Sequence, residues 1–322
     1  MRTLLRLRGK IATERSARRH YVLQAVVAIL IAAPVALAGN RVVVDDLGFK
    51  IQVNDNIKRV ISLVPTNSEM VCLLDCKRLK GGTRYDQFPA ELRKRVQAGQ
   101  IEIIGGGFDA NLEKIVQLQP DLVLTNGPTQ QRFAVPLKNM GYSVLSIWPR
   151  DMAGLEKDFL LLGDLLAQAV KARSAVDNMH HRFDLIQAKA INMPKKKVYL
   201  QMWTDPLITV GNLSFPDWLV GAAGGINIFH DLPFDSAQVS LESLIRRDPE
   251  VLIFLAEQEP FAKTLSERPG WSSIRGVRNT HFCFVEESDL RRSIQFIDGL
   301  ATIQNCLFDK KRTKQIISPE TK

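Results

Sequence analysis

The feature that most restricts the fold of this chain is an alternation of strand-like and helix-like segments that occurs twice. Short apolar runs, such as Arg59 to Val64 and Asp121 to Thr125, are separated by amphipathic stretches in the first half of the chain. The same alternation returns at Val198 to Met202 and at Val251 to Leu255. Strands that alternate with helices form parallel sheets with helical crossovers. The sequence therefore predicts two α/β units.

A segment with helical periodicity lies between these units. Apolar residues recur mostly at three- and four-residue steps from Leu155 to Ile186, and no proline interrupts them before Pro194. One continuous helix over this segment would be roughly 55–60 Å long, which is enough to connect two lobes as a stiff spine. The alternative is a pair of helices with a break near Gly163, since single helices of this length are uncommon.

A repeated pattern relates the two units to each other. Asn111 to Ile115 leads through a proline to a buried strand, and Ser240 to Leu244 does the same. We therefore expect an α/β fold with two Rossmann-like lobes, residues 39–150 and 195–308, joined by a single long backbone helix in residues 151–194. Clefts between such lobes are common ligand sites, so we expect a ligand cleft there.

The N-terminal segment predicts export from the cytoplasm. Residues 1–38 hold seven basic side chains and one acidic one, so they supply six of the nine net positive charges of the chain. A basic region, an apolar run and a final Ala36-Leu37-Ala38 are typical of a signal peptide that is cleaved after Ala38. The alternative is an uncleaved membrane anchor. The remaining charge is interspersed, which argues against nucleic-acid binding, and residues 309–322 read as a polar tail.

The four cysteines leave their pairing open. Cys72 and Cys76 are four residues apart in a predicted helix, which suits a metal site, a disulfide or, as the favoured interpretation, small packing residues. Cys283 and Cys306 are far from them in sequence. An exported protein offers conditions under which disulfides form.

Sequence motifs for catalysis or metal binding are missing. The chain has no G-x-S-x-G elbow and no phosphate-binding G-K-[ST] loop. His180 and His181 are adjacent, so they point about 100° apart on a helix and do not form a chelating pair. We therefore expect no catalytic residues, no metal site and no cofactor.

Candidate ligand contacts follow the predicted strands, where the carboxyl ends of a parallel sheet line a binding crevice. Tyr85 and Trp203 could equally be packing aromatics, and arginines at a helix start could simply be solvated. The candidates are Thr66, Asn67, Tyr85, Phe108, Trp203 and Arg292.

These turns carry a resemblance to a known family. The chain resembles the class III periplasmic substrate-binding proteins of ABC importers, which bind cobalamin, iron siderophores or haem. The resemblance covers about Arg59 to Leu307. The strings that carry it, in order, are RVISLVPTNSEM, TRYDQFP, NLEKIVQLQPDLVLT, WTDPLITVG with AGGINIF, QVSLESLIRRDPEVLIF and RPGW.

The resemblance implies a function and further site residues. It implies cleft roles for the six candidates and docking roles for Glu113 and Glu242, which would meet arginines of an inner-membrane ABC permease. It also implies a monomeric periplasmic protein that captures a small molecule, with cobalamin as the first choice and a ferric siderophore or haem as alternatives. Ala223 replaces a cysteine that the family can pair with one in the final helix, so Cys306 is expected to lack that partner.

Two alternatives come from other functional classes. A periplasmic enzyme or cofactor chaperone could use the same scaffold, but it would need a nucleophile and base in the cleft, and the sequence does not reveal such a pair. A sensor tethered by an uncleaved N-terminus would require the membrane-anchor interpretation of residues 1–38.

Overall fold

The computed structural model describes residues 39–308, so the predicted signal peptide and polar tail lie outside the described residues. The first lobe is built on a sheet of five parallel strands in the order β5-β4-β3-β6-β7, and a separate two-stranded sheet, β1-β2, precedes it. The strands are β1 Asn40–Val44, β2 Lys50–Asn54, β3 Val60–Ser62, β4 Leu79–Gly82, β5 Glu102–Ile103, β6 Leu122–Thr125 and β7 Val144–Ser146.

Four helices accompany this sheet, and strands β3, β6 and β7 are buried at every position. Continuous burial is typical of parallel strands that are covered on both faces. The helices are α1 Pro65–Asp75, α2 Ala90–Gln97, α3 Leu112–Gln117 and α4 Gln131–Asn139.

The connection between the lobes differs from the predicted single helix. It consists of two helices, α5 Met152–Leu165 and α6 Ala169–Ala190. Ala167 between them has a φ of 53°, which cannot continue a right-handed helix. A Cβ at Gly163 would lie 2.4 Å from the Cβ of Ala172, so the two helices cross closely. The prediction of one continuous spine was wrong, and the alternative of a broken one describes the structure.

The break also changes which residues are buried. Val170, which the sequence pattern places on the continuous apolar face, is 85% exposed. Ala172, Val176 and Met179 form the buried stripe of α6 instead. The buried face of α6 is therefore not a continuation of the buried face of α5.

The second lobe contains a six-stranded mixed sheet in the order β11-β9-β8-β12-β13, with β10 also paired to β8. Strand β12 is buried throughout, next to the central strand β8. The strands are β8 Lys196–Thr204, β9 Leu207–Val210, β10 Gly225–Asn227, β11 Ser236–Gln238, β12 Val251–Leu255 and β13 Phe282–Val285.

The helices of this lobe include a C-terminal one that packs against α6. In the described part of the chain, no helix is long and apolar enough to cross a bilayer. The helices are α7 Phe215–Ala222, α8 Leu241–Arg247, α9 Glu259–Lys263, α10 Arg275–Arg278 and α11 Phe296–Phe308.

Two disulfides are formed among the described residues. Cys283 of β13 pairs with Cys306 of α11, and Cys72 pairs with Cys76 at the end of α1. Cys306 lacks the partner that the family can supply at position 223, but it still forms a disulfide, because the buried Cys283 lies beside the final helix. The favoured interpretation of Cys72 and Cys76 as unpaired packing residues was also wrong. Their sulfur atoms are bonded to each other and are not thiolate ligands for a metal.

Candidate ligand-binding cleft

A cleft of about 460 Å³ opens between the two lobes. It lies beyond the carboxyl ends of the neighbouring strands β3 and β6. The strand order reverses between these two, because β4 lies on the outer side of β3 and β7 lies on the outer side of β6. Such a switch point is where open α/β sheets bind ligands. The first lobe lines the cleft with Val64, Pro65, Thr66 and Asn126, and the second with Met202, Trp203, Ile208, Val210, Ser214, Pro216, Asp235, Ser236, Glu287, Leu290, Arg291 and Arg292.

The start of α1 places Thr66 at this cleft. Val64 is extended, and Pro65 occupies the first helical turn, where its missing N–H costs nothing. Thr66 is half-buried and lines the cleft. Asn67, also predicted there, is 1% exposed and does not line it. Its amide nitrogen donates to the Thr125 carbonyl at 3.2 Å, so it joins the turn after β3 to the end of β6.

Gln130 holds three of the cleft-edge loops together, a role that the sequence did not suggest. Its side-chain nitrogen donates to the carbonyls of Leu63 at 3.0 Å and Gly107 at 2.8 Å. Its side-chain oxygen accepts from the Asn126 backbone N–H at 2.8 Å. The residue is 2% exposed. It lies in the polar run TNGPTQQ, where nothing in the sequence marks one glutamine as buried.

Tyr85 and Phe108 follow β4 and β5 on the rim of the first lobe. They are 55% and 75% exposed and are not among the residues that line the cleft. The Arg84 guanidinium lies 5.7 Å from the Tyr85 ring centre and binds Asp109 at 2.7 Å. Arg84 lowers the pKa of the Asp109 carboxyl, which also accepts from the Gly106 N–H at 2.8 Å. The two turns, joined by the ion pair between Arg84 and Asp109, thus present both aromatic rings to solvent.

Trp203 extends the apolar surface of the cleft from the second lobe. It lies near the end of β8 and is 57% exposed. Its indole N–H donates to the Asp205 carbonyl at 2.9 Å, which fixes the orientation of the ring. Met202, its neighbour in β8, also lines the cleft. A large aromatic side chain that is held in place but exposed is suited to stacking on a flat ligand.

Arg292 lines the cleft, and its guanidinium contacts residues of both lobes, while its buried Nε has no hydrogen-bond partner among the described residues. The guanidinium binds Asp235 at 2.5 Å and lies 3.8 Å from the ring centre of Trp148, which belongs to the first lobe. Burial lowers the pKa of Arg292 and raises the pKa of Asp235. Trp148 packs against Gly127, where a Cβ would lie 2.3 Å from the indole. The arginine therefore joins the two lobes.

A buried polar contact between the lobes lies next to this arginine. The Ser293 hydroxyl, just before α11, donates to the Glu69 carboxylate in α1. Burial raises the Glu69 pKa to about 7, while the Ser293 hydrogen bond and the charge of Arg291 oppose the shift. Burial also raises the pKa of Asp86, and the positive charge of Arg291 again opposes the shift. Neither Glu69 nor Asp86 was predicted from the sequence as a site residue.

Glu113 and Glu242 occupy equivalent exposed positions in the two lobes. Each lies in the first turn of a helix, α3 or α8, that begins after a capping side chain, Asn111 or Ser240. Each of these helices leads into the strand that adjoins the central strand of its sheet. The sequence repeat thus corresponds to a repeated helix–strand unit. The docking role of the two glutamates remains a prediction.

Comparison with known proteins assigns the chain to a family. The model of the periplasmic binding protein family matches residues 60–288. The vitamin B12-binding protein of Salmonella typhimurium is 31% identical over 199 residues, which are 61% of this chain and 71% of the relative. An uncharacterized ABC transporter substrate-binding lipoprotein of Bacillus subtilis is 25% identical over 262 residues, 78% of this chain and 80% of the relative.

Solved structures share the fold at lower sequence identity. The periplasmic vitamin B12-binding protein of Vibrio cholerae has a TM-score of 0.69 and 20% identity, with 80% of this chain and 98% of that chain covered. The two-lobed architecture, the cleft at the strand ends and the family match agree. The chain belongs to the periplasmic binding protein family.

Proposed function

We propose that this protein is the periplasmic substrate-binding component of an ABC importer and that it captures cobalamin or a related corrinoid. The observation that carries the proposal is the cleft between the lobes, bordered by the exposed ring of Trp203 and located near the exposed aromatic rim of the first lobe. Fixed aromatic faces suit a large, flat ligand that is only partly apolar. Relatives named for vitamin B12 binding support this choice of ligand.

Isothermal titration of the protein from Gly39 onward with cyanocobalamin tests the proposal. We expect saturable binding at one site and a large loss of affinity in Trp203→Ala. Met140→Ala is the control, because Met140 is 58% exposed at the end of α4 and does not line the cleft. An affinity that Trp203→Ala and Met140→Ala change equally, or no binding at all, would contradict the proposed ligand site.

Delivery to the permease is the second part of the proposal. The exposed Glu113 and Glu242 present one carboxylate on each lobe, and complementary charges would set the orientation and rate of docking. A Glu113→Arg and Glu242→Arg double variant should bind cyanocobalamin normally but fail to stimulate ATP hydrolysis by the reconstituted importer. Normal stimulation by this variant would exclude the two glutamates as docking residues.

Capture without chemical change completes the proposed function. Among the described residues, the cleft lining holds no histidine or cysteine to activate a nucleophile, and one of its two serines, Ser214, is engaged in capping α7. Ligand recovered after prolonged incubation should therefore have an unchanged mass and absorption spectrum. Turnover would instead favour an enzyme on this scaffold. We further propose that residues 1–38 are removed on export, and a mature N-terminus at Gly39 would support this.

A further inference from the structure

The charged side chains of the cleft lining form two ion pairs. Arg291 binds Glu287 at 2.9 Å, one helical turn away in sequence. Arg292 binds Asp235 at 2.5 Å. These four are the only charged residues among those that line the cleft in the described part of the chain. Two positive and two negative charges cancel, so the lining is electrically neutral.

The two arginines are more strongly enclosed than their acidic partners. Their side chains are 14% and 16% exposed, whereas Glu287 and Asp235 are 65% and 39% exposed. Arg292 is further held by the Trp148 ring. Each arginine thus has one carboxylate partner, and the Nε of Arg292 is buried without a hydrogen-bond partner in the part of the chain that the structure describes. Glu287 and Asp235 are the more exposed members of the two pairs. A carboxylate accepts up to about four hydrogen bonds and has capacity left after pairing with one arginine.

This arrangement should disfavour a ligand that carries carboxylates and accept an uncharged ligand that carries amides. A ligand carboxylate would compete with Asp235 or Glu287 for its arginine and would bring a second negative charge beside a partly buried one. A ligand amide can donate an N–H to the same acids with both ion pairs intact. Like charges brought together in a site and unpaired buried charges are both costly.

We propose that Asp235 and Glu287 are specificity-determining residues, which favour an uncharged, amide-bearing tetrapyrrole and reject one that carries carboxylates. The inference rests on the proposed function and adds the ligand feature that the cleft discriminates. The corrin ring of cobalamin carries amide side chains, whereas the porphyrin of haem carries two propionates. Arg150 is an exposed side chain outside the lining that also acts on Asp235, so neutralising Asp235 leaves an excess of positive charge there.

Titrations of the folded protein with cyanocobalamin and with haemin test the inference. The variants are Asp235→Asn, Glu287→Gln and the double variant, each of which removes a charge and keeps the shape of the side chain. We expect wild-type protein to prefer cyanocobalamin and the double variant to bind haemin at least about tenfold more tightly than wild type. Cyanocobalamin affinity should fall no more than about threefold, roughly 0.7 kcal/mol.

Matched controls come from ion pairs away from the cleft. Asp231→Asn removes the partner of Arg247, which lies 2.7 Å away in the same lobe. Glu91→Gln removes an exposed pair of the same spacing as Glu287 and Arg291, at 3.0 Å from Arg95. These variants should leave both affinities unchanged, and thermal unfolding of every variant shows whether it is folded.

The outcomes separate the inference from the proposed function. If wild type binds cyanocobalamin but the cleft variants do not gain haemin affinity beyond the controls, the inference is wrong and the function stands. A wild-type preference for haemin also overturns the inference. If wild type binds neither ligand, the proposed function fails and the inference fails with it.

Discussion

The hydroxyl of Ser293 in the second lobe donates a hydrogen bond to the carboxylate of Glu69 in the first lobe. Both side chains are buried, at 2% and 3% exposure. This contact places an ionisable group between two lobes that must move relative to each other if the cleft is to open. Its protonation state therefore affects the stability of the whole molecule.

Stability should depend on pH through Glu69. Its pKa is about 7 in the folded protein against 4.5 ordinarily, so between these values the folded state binds more protons than the unfolded state. The stabilising contribution of Glu69 to the free energy of unfolding is fully present below pH 4.5 and is lost as pH rises through about 7. The shift corresponds to about 3 kcal/mol. Glu69→Gln should therefore be more stable than wild type at pH 8 and similar to it near pH 4.

Urea unfolding followed by tryptophan fluorescence at several pH values measures this difference. Comparing the variant with wild type cancels the contributions of other buried acids, such as Asp158, whose pKa is raised to about 8 by burial and by Asp46. Glu267→Gln, at an exposed position, is the control. A stability difference between Glu69→Gln and wild type that does not change with pH would show that Glu69 is not the group involved.

Gly127→Ala should destabilise the protein and weaken ligand binding. The glycine has a φ of 56°, and a Cβ there would lie 2.3 Å from the Trp148 ring. With a ψ of −150°, this conformation is adopted almost only by glycine, so the variant costs about 1–3 kcal/mol in backbone strain and must also displace the indole from Arg292. Gly141→Ala is the control, because it introduces backbone strain without a clash: φ is 89° and no atom lies within 4 Å of the added Cβ. Equal losses of unfolding free energy in the two variants would contradict a tight fit at Trp148.

Gln130→Ala should loosen the loops at the edge of the first lobe. The change leaves two carbonyls and one N–H without their partner, and each buried unsatisfied group costs about 1–3 kcal/mol unless water reaches it. We expect a lower unfolding free energy, faster amide exchange at Asn126 and weaker cyanocobalamin binding. Gln52→Ala, at an exposed position in β2, is the control. Unchanged exchange at Asn126 would show that the loops do not depend on Gln130.

The two disulfides should contribute unequally to stability. Cys283 and Cys306 are 23 residues apart and connect a strand to the final helix, with a Cα–Cα distance of 5.8 Å. Closing a loop of this size contributes about 3 kcal/mol in the chain-entropy model. Cys72 and Cys76 close a loop of only four residues. The double alanine variant of the first pair should therefore lose more stability in urea unfolding, and the reverse order would contradict this.

Much of the fold could be predicted because it depends on local patterns. Buried runs such as Val251 to Leu255 form strands wherever both faces are covered, and the repeat around Glu113 and Glu242 marks equivalent units. The broken connection was harder to predict, because Leu155 to Ile186 keeps a nearly helical spacing across the break at Ala167. The periodicity of a sequence does not report a single residue with positive φ.

The site could be predicted only by its place at the strand ends. Thr66, Trp203 and Arg292 line the cleft, whereas Asn67 lies beneath it, one residue beyond a side chain that faces it. Along a helix start, neighbouring residues point about 100° apart, so sequence adjacency does not imply a shared surface. The pairing of Arg292 with Asp235 joins residues 57 positions apart, which no local pattern reveals.

The turn between β1 and β2 gives the first described residues of the chain a direct part in the architecture of the cleft. Asp46 in this turn accepts a hydrogen bond from the backbone N–H of Trp148, whose indole supports Arg292. Asp46, two residues after the end of β1, therefore anchors a loop about a hundred residues later. Proteolytic trimming at the N-terminus is consequently not neutral for ligand capture: a cut before Asn40 preserves this anchor, and a cut beyond Asp46 removes it.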